Sequence, residues 1–485
     1  MLFNSIEYIL FLIVLLPIYF LIKQKYRWIV LLVFSYFFYM CWNVTYILLI
    51  LFTTAMNFTM SLLMDRAKNK AARTTCFLLA LLTSLGLLFY FKYFNFALTI
   101  INGALALVKT DFVFNSVNIL LPVGISFFTL QTLSYTIDVY TKKRGVEKHF
   151  GIFALYVSFF PQLVAGPIER SENLLPQFYE THKFSFERFK TGLYKMLVGY
   201  FMKMVIADRL SISVDMVYSD PSAYQGPLIV LATIAFAIQI YCDFAGYSLI
   251  AIGTAEILGY RLMQNFNAPY LAKSVREFWS RWHISLTTWL RDYIYIPMGG
   301  NRKGAARQYI NILIVFAISG LWHGASFAFI IWGLLHAVYQ IAERGMQTWT
   351  DKMSHSQRRV VRGAFNGFSH LSTLLLVVFA WIFFRAGTLA SAVAVISNIF
   401  TATPVPFTQY GFLVSLYLSD EVVALGSIGL LFALEIINQK RNLVEWLSQK
   451  PLLCQYSFIV VAILTIVVFG VYGPTADNAF IYFQF

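Results

Sequence analysis

Ser319-Gly320-Leu321-Trp322-His323-Gly324-Ala325-Ser326 joins two strongly apolar runs, one ending at Leu321 and one running from Phe327 to Ile341. The first run, Tyr309 to Leu321, spans about 20 Å as a helix, short of the ~30 Å of a bilayer's hydrocarbon. If it starts at the cytoplasmic face, His323 lies inside the bilayer, nearer the far side. Gly320 and Gly324 let the backbone turn tightly there before the chain returns to the basic residues after Glu343. A titratable ring at membrane depth is costly, so His323 is a candidate for chemistry, as a general base or as a nucleophile carrying an acyl group. The bland alternative is a packing histidine bonded to a neighbouring helix.

The whole composition agrees with a lipid solvent. Of 485 residues, 59% are hydrophobic and 12% charged, with a mean hydropathy of +0.67, more apolar surface than a water-soluble domain can bury. The 47 Phe and 29 Tyr suit aromatic belts at two interfaces. A formal charge of +14 does not imply nucleic acid, because the basic residues fall in short loops between apolar segments, where they mark the cytoplasmic face. Cys41, Cys76, Cys242 and Cys454 are scattered and form neither a metal-like pair nor a disulfide framework. The apolar stretch from Ile6 to Ile22 is followed by Lys23, Lys25 and Arg27, which reads as a retained first span rather than a signal peptide.

Loops 23–27, 65–73, 142–148, 182–190, 302–307, 343–362 and 439–450 are rich in Lys and Arg, whereas 102–118, 219–226 and 401–420 are nearly free of them. The first set is expected in the cytoplasm and the second outside, with both termini outside. The expectation is one all-α domain over residues 1–485: a polytopic membrane bundle of about ten to twelve helices, some short, re-entrant or interfacial. Leu121-Pro122-Val123-Gly124 and Phe160-Pro161-Gln162 break their segments, and broken helices at membrane depth are tolerated where protein or a cavity surrounds them.

A second histidine lies in Arg276-Glu277-Phe278-Trp279-Ser280-Arg281-Trp282-His283, which continues to Arg291-Asp292-Tyr293. On a helical wheel Trp279, Trp282, His283, Leu286, Leu290 and Tyr293 share a face opposite Glu277, Arg281, Ser285, Thr288 and Asp292. That predicts one amphipathic helix at the cytoplasmic interface, with His283 facing protein or lipid. His336 reads as a core residue, His370 as interfacial, and His149, His182 and His355 as solvated loop residues. Asp243 and Glu256 lie within a long apolar run, where they either orient a substrate or form structural ion pairs with Arg261 or another basic group. Arg291 and Asp292 read as a surface pair. No histidine–acid spacing fits a metal, and no Gly-rich loop fits a nucleotide. The basic turn Gly299-Gly300-Asn301-Arg302-Lys303-Gly304 fits phosphates and a cytoplasmic loop equally well.

Several long motifs in order carry a family resemblance. They are Phe159-Phe160-Pro161-Gln162-Leu163-Val164-Ala165-Gly166-Pro167-Ile168-Glu169-Arg170, Asp243-Phe244-Ala245-Gly246-Tyr247-Ser248 and Phe278-Trp279-Ser280-Arg281-Trp282-His283-Ile284-Ser285-Leu286. Arg291-Asp292-Tyr293-Ile294-Tyr295-Ile296-Pro297, Gly320-Leu321-Trp322-His323-Gly324-Ala325 and the closing Phe480-Ile481-Tyr482-Phe483-Gln484-Phe485 complete the set. In these the chain resembles the membrane-bound O-acyltransferases, in the bacterial branch that acetylates alginate and other polysaccharides and D-alanylates teichoic acids.

The resemblance implies a helical bundle around a funnel or tunnel, with His323 as catalytic histidine and His283 as its second histidine. It implies a multi-pass protein of the bacterial inner membrane that binds no cofactor. The donor would be a cytoplasmic acyl thioester such as acetyl-CoA. The partner would be an extracytoplasmic acetyltransferase or polysaccharide-binding protein supplied in trans. Teichoic acid D-alanylation and peptidoglycan O-acetylation are the variants within the class. A transporter or flippase is the reading from another class; it predicts internal repeats, which the sequence does not show. A purely structural membrane subunit would leave both histidines dispensable.

Overall fold

The structure is a computed structural model and describes residues 1–110, 112–164, 166–351, 355–401, 418–472 and 480. Every regular element among them is helical. Among the described residues, seven helical stretches are long and apolar enough to cross a membrane: Val44–Arg66, Lys70–Leu107, Pro227–Leu258, Ala305–His323, Phe368–Ala386, Val422–Lys440 and Leu452–Phe469. Ile6–Leu21 and Leu389–Phe400 are apolar but shorter. The expected helical bundle, in which some apolar helices are short or broken and do not span, is what the described residues form. The apolar run after Pro122 starts only at Ile125, behind Gly124 at φ +77°. The run after Phe150 ends at Ser158, and a separate turn, Phe160–Leu163, follows. In Leu452–Phe469 only 11% of the span is buried, and Leu453, Val461 and Val468 are exposed, an apolar face of the kind that lipid covers. The loop expected outside at 401–420 falls mostly beyond the described residues. His355 lies outside the described side chains.

The chain forms two compact units. The first comprises residues 1–193 and 251–263. Its core includes the rings of Phe3, Tyr8, Phe11, Phe38 and Phe160, and a buried polar bridge joins Asn57 to Ser84 and Thr136. The Phe159–Arg170 motif lies here. Its Glu169 is fully buried, accepting hydrogen bonds from Asn173 Nδ2 at 2.6 Å and from the Met263 amide; burial raises its carboxyl to about 7. Glu256 accepts from the Thr191 hydroxyl at 2.7 Å. His182, expected in solvent, is buried: its Nε2 lies 2.8 Å from the Gln177 carbonyl and its ring 4.5 Å from Tyr260. The basic loop folds back onto Gly259, where a Cβ would meet the His182 ring at 2.8 Å.

The second unit comprises residues 194–250 and 264–485. Two helices, Ala305–His323 and Phe327–Asp351, form its central hairpin. The pair approach backbone to backbone. A Cβ on Gly320 would lie 2.1 Å from the Phe329 carbonyl oxygen, and one on Gly333 2.1 Å from the Phe316 carbonyl oxygen. Helices Pro227–Leu258 and His355–Ala386 supply further rings to this core, Phe236 meeting Trp381 and Phe384. A second glycine crossing, Gly199 against Gly246, brings the wide π-helical turn Phe201–Ala207 close to Pro227–Leu258.

Candidate active site

His323 is the last residue of Ala305–His323. The helix begins four residues before the expected Tyr309, because Ala305-Ala306-Arg307-Gln308 favour helix without being apolar. At nineteen residues it is about 28 Å long, close to a full hydrocarbon thickness. The extended Gly324, at φ −160°, ends it, and a Cβ there would strike the Phe329 ring at 2.1 Å.

The segment around His283 is not the single amphipathic helix expected. It is two short helices, Val275–Arg281 and Ile284–Leu290, broken at Trp282-His283 and followed by the π-helical turn Arg291–Tyr295. His283 takes the left-handed conformation, φ +42° and ψ +53°, which a residue with a Cβ seldom adopts. A neighbouring strand of chain pins the break. The Asn265 carbonyl accepts from the Ile284 amide at 2.9 Å, its Oδ1 accepts from the Ser285 hydroxyl at 2.9 Å, and the Asn267 amide donates to the Arg281 carbonyl at 3.0 Å. The first helix is capped by Ser274, which accepts from the Glu277 amide, and by Glu343, which accepts from the Val275 and Arg276 amides. Sequence reasoning passed over Asn265, which stands between the equally polar Gln264 and Asn267 with nothing to single it out.

The break turns both Trp282 and His283 wholly inward. The two histidines meet: their ring centroids are 6.1 Å apart. Phe244 lies edge-on to His283 at 4.7 Å. Trp322, Trp332 and Phe384 approach His323 at 4.9, 5.0 and 5.4 Å. Burial pushes the His283 imidazole down to about 3, so it is neutral at physiological pH. His336 is buried as expected and packs against Trp332, the same ring that touches His323.

A cavity of about 560 Å³ is lined by Ile284, next to His283 in the chain, and by Ser319, and by neither histidine. Arg276, Arg291 and Arg344 line it together with Asn301 of the basic turn, and Trp279, Ile312, Val315 and Phe316 supply apolar wall. It reaches Ser319, one helical turn before His323 on the same face. A cavity with cationic groups and an apolar wall suits a ligand with an anionic head and a long neutral arm.

The remaining candidates are structural in their contacts. Asp243 pairs with Lys203 at 2.6 Å, and the same ammonium lies 2.8 Å from Asp208, all three buried. The expected structural ion pair of Asp243 is present, with Lys203 as the basic group in place of Arg261. Arg291 and Asp292 pair at the surface at 2.8 Å. His370 is half-buried, with Nδ1 3.0 Å from the Ala272 carbonyl. Of the closing motif only Phe480 is among the described residues; it is fully buried against Phe244 and Tyr247, at 5.4 and 4.7 Å.

Comparison with known proteins adds a family to this geometry. The model of the membrane-bound O-acyltransferase family matches residues 57–384, a range holding both histidines. The chain is 38% identical over 405 residues to the probable alginate O-acetylase AlgI of Pseudomonas putida, covering 83% of this chain and 80% of that one. It is 33% identical over 390 residues to the peptidoglycan O-acetyltransferase of Helicobacter pylori, covering 75% and 72%. With the teichoic acid D-alanyltransferase of Bacillus subtilis it shares 26% identity over 248 residues, 48% of this chain and 62% of that one.

Proposed function

The chain belongs to the membrane-bound O-acyltransferase family and is a multi-pass membrane O-acyltransferase, and on that premise we propose that it passes an acetyl group from a cytoplasmic thioester to an exported polysaccharide. Acetyl-CoA is the proposed donor, and alginate or a similar uronic-acid polymer the proposed acceptor. The bacterial inner membrane is the proposed location. A secreted acetyltransferase or polymer-binding protein would complete the transfer outside, in trans. The relatives support acetyl over D-alanyl: the alginate O-acetylase matches over 83% of the chain, the D-alanyltransferase over 48%.

The observation that carries the reading is the meeting of His283 and His323, 6.1 Å apart, beside an arginine-bearing cavity that ends one turn from His323. In the proposed step a neutral His323 nitrogen takes the acceptor's hydroxyl proton as its oxygen attacks the thioester carbonyl. The carbon–sulfur bond breaks, the ester forms, and the thiolate leaves with that proton from the imidazolium. His283, neutral and held in a fixed orientation, positions the donor arm. Covalent acyl-histidine is the variant route, visible as a mass increment on the intact protein.

The test is thiol release from acetyl-CoA by the purified protein in lipid nanodiscs. His323→Ala is expected to lose about 10²-fold or more of the turnover while still reaching the membrane. A His323→Ala protein as fast as the wild type would end the assignment. Preference for a D-alanyl carrier protein over acetyl-CoA would move the function to D-alanylation.

A further inference from the structure

His323 is 2% exposed, yet the carbon that reacts has to come within hydrogen-bonding reach of its ring. The acyl carbons bonded to it then pass close to the shell of atoms around the imidazole. That shell includes three aromatic rings: Trp322 at 4.9 Å, Trp332 at 5.0 Å and Phe384 at 5.4 Å. The room in the cavity lies elsewhere. Its walls reach Ser319 and include neither Trp332 nor Phe384, so it accommodates the donor's arm and not its acyl end.

The rings are held from behind, so they yield little. Trp332 stacks on Trp381 at 5.6 Å with 26° between planes, and Phe384 is wedged edge-on between Trp381 at 5.2 Å and Phe329 at 4.9 Å. Trp332, Trp381 and Phe384 are all completely buried. The backbone behind Trp332 is held close to the facing helix at its neighbour Gly333, where an added Cβ would lie 2.1 Å from the Phe316 carbonyl oxygen. Such a core is packed like an organic crystal, and extra methylenes are taken up only by strain.

We propose that Trp332 and Phe384 are the specificity-determining residues for acyl length, holding the donor's acyl group to two carbons. The inference rests on the thioester-donor reading above and adds to it the part of the donor that is selected. One methylene misfitted in an apolar pocket is worth about 10–200-fold in kcat/KM. The wild type is therefore expected to use acetyl-CoA at least about 10-fold better than propionyl-CoA, and butyryl-CoA less well again.

The experiment measures kcat/KM for these three thioesters with the full chain in nanodiscs, in wild type, Phe384→Leu and Trp332→Phe. The acetyl-to-butyryl ratio is internal to each protein, so a smaller folded fraction cancels. Narrowing of that ratio by about 10-fold or more in either variant supports the assignment. A wild type that uses butyryl-CoA as well as acetyl-CoA overturns it, as does an unchanged ratio in both variants. Silence of the wild type toward all three thioesters sinks the donor reading and this inference with it, an outcome distinct from a flat preference.

Discussion

His283 shows how a single residue's conformation makes this site. Left-handed backbone at a residue with a Cβ costs about 1–3 kcal/mol and persists where surrounding contacts over-determine it. Here Asn265 does so, accepting from the Ile284 amide and the Ser285 hydroxyl. The helical wheel gave no warning, because the apolar stripe runs unbroken across Trp282-His283 and neither Gly nor Pro marks the break. The stop comes from a strap of chain about twenty residues upstream, which local pattern does not encode. The wheel did report the aromatic side of His283, since that side is what the break turns inward. Burial carries a pH signature. With the folded imidazole near 3 and the unfolded one near 6.5, the unfolded chain binds the extra proton between those values. Stability from this residue is complete above about pH 6.5 and falls as the pH drops toward 3, by up to about 1.4 kcal/mol per unit. Thermal melts in detergent between pH 7.5 and 4 are expected to show a shallower acid decline for His283→Gln than for wild type. Equal slopes would remove His283 from the account.

At the scale of the element, the Ala305–His323 and Phe327–Asp351 hairpin is the frame on which both the histidine and its aromatic wall hang. The turn at His323 was legible in the sequence: an apolar run, a titratable residue and flanking glycines. The start of the helix was not, because four helix-favouring residues carry no hydropathy signal. Nor did the sequence show what the glycines do, since close approach depends on the other helix. Gly333→Ala puts a methyl group 2.1 Å from the Phe316 carbonyl and is expected to cost about 1–3 kcal/mol, with a drop in thioester turnover as the wall around His323 shifts. Gly345→Ala, farther along the same helix, meets nothing within 4 Å and is expected to be neutral or to stabilise by up to about 1 kcal/mol. A thermal melt of each variant separates the two. A harmless Gly333→Ala would show that the helices are not held at this spacing.

Across the whole molecule, charge is the property most visible in the sequence and the least specific. The excess of Lys and Arg anticipated a membrane protein with basic loops. It did not say that Arg276, Arg291 and Arg344, from three separate stretches, would line one cavity. If that cavity takes a phosphate-bearing thioester, replacing two of the three by Gln is expected to raise KM for acetyl-CoA about 10-fold and to flatten its dependence on ionic strength. An unchanged salt dependence of KM would mean that the anionic head binds elsewhere.

The buried lysine has a consequence for biogenesis. Asp243 sits near the middle of Pro227–Leu258, and a carboxylate there opposes entry of a nascent helix into lipid by about 2.5–3.5 kcal/mol. Its counter-ion, Lys203, lies about forty residues upstream, in the π-helical turn Phe201–Ala207. Each partner lowers the other's cost of partitioning. Asp208 lies close enough along the chain to pair with Lys203 first, so the later helix brings its carboxylate to a lysine that is already partly neutralised.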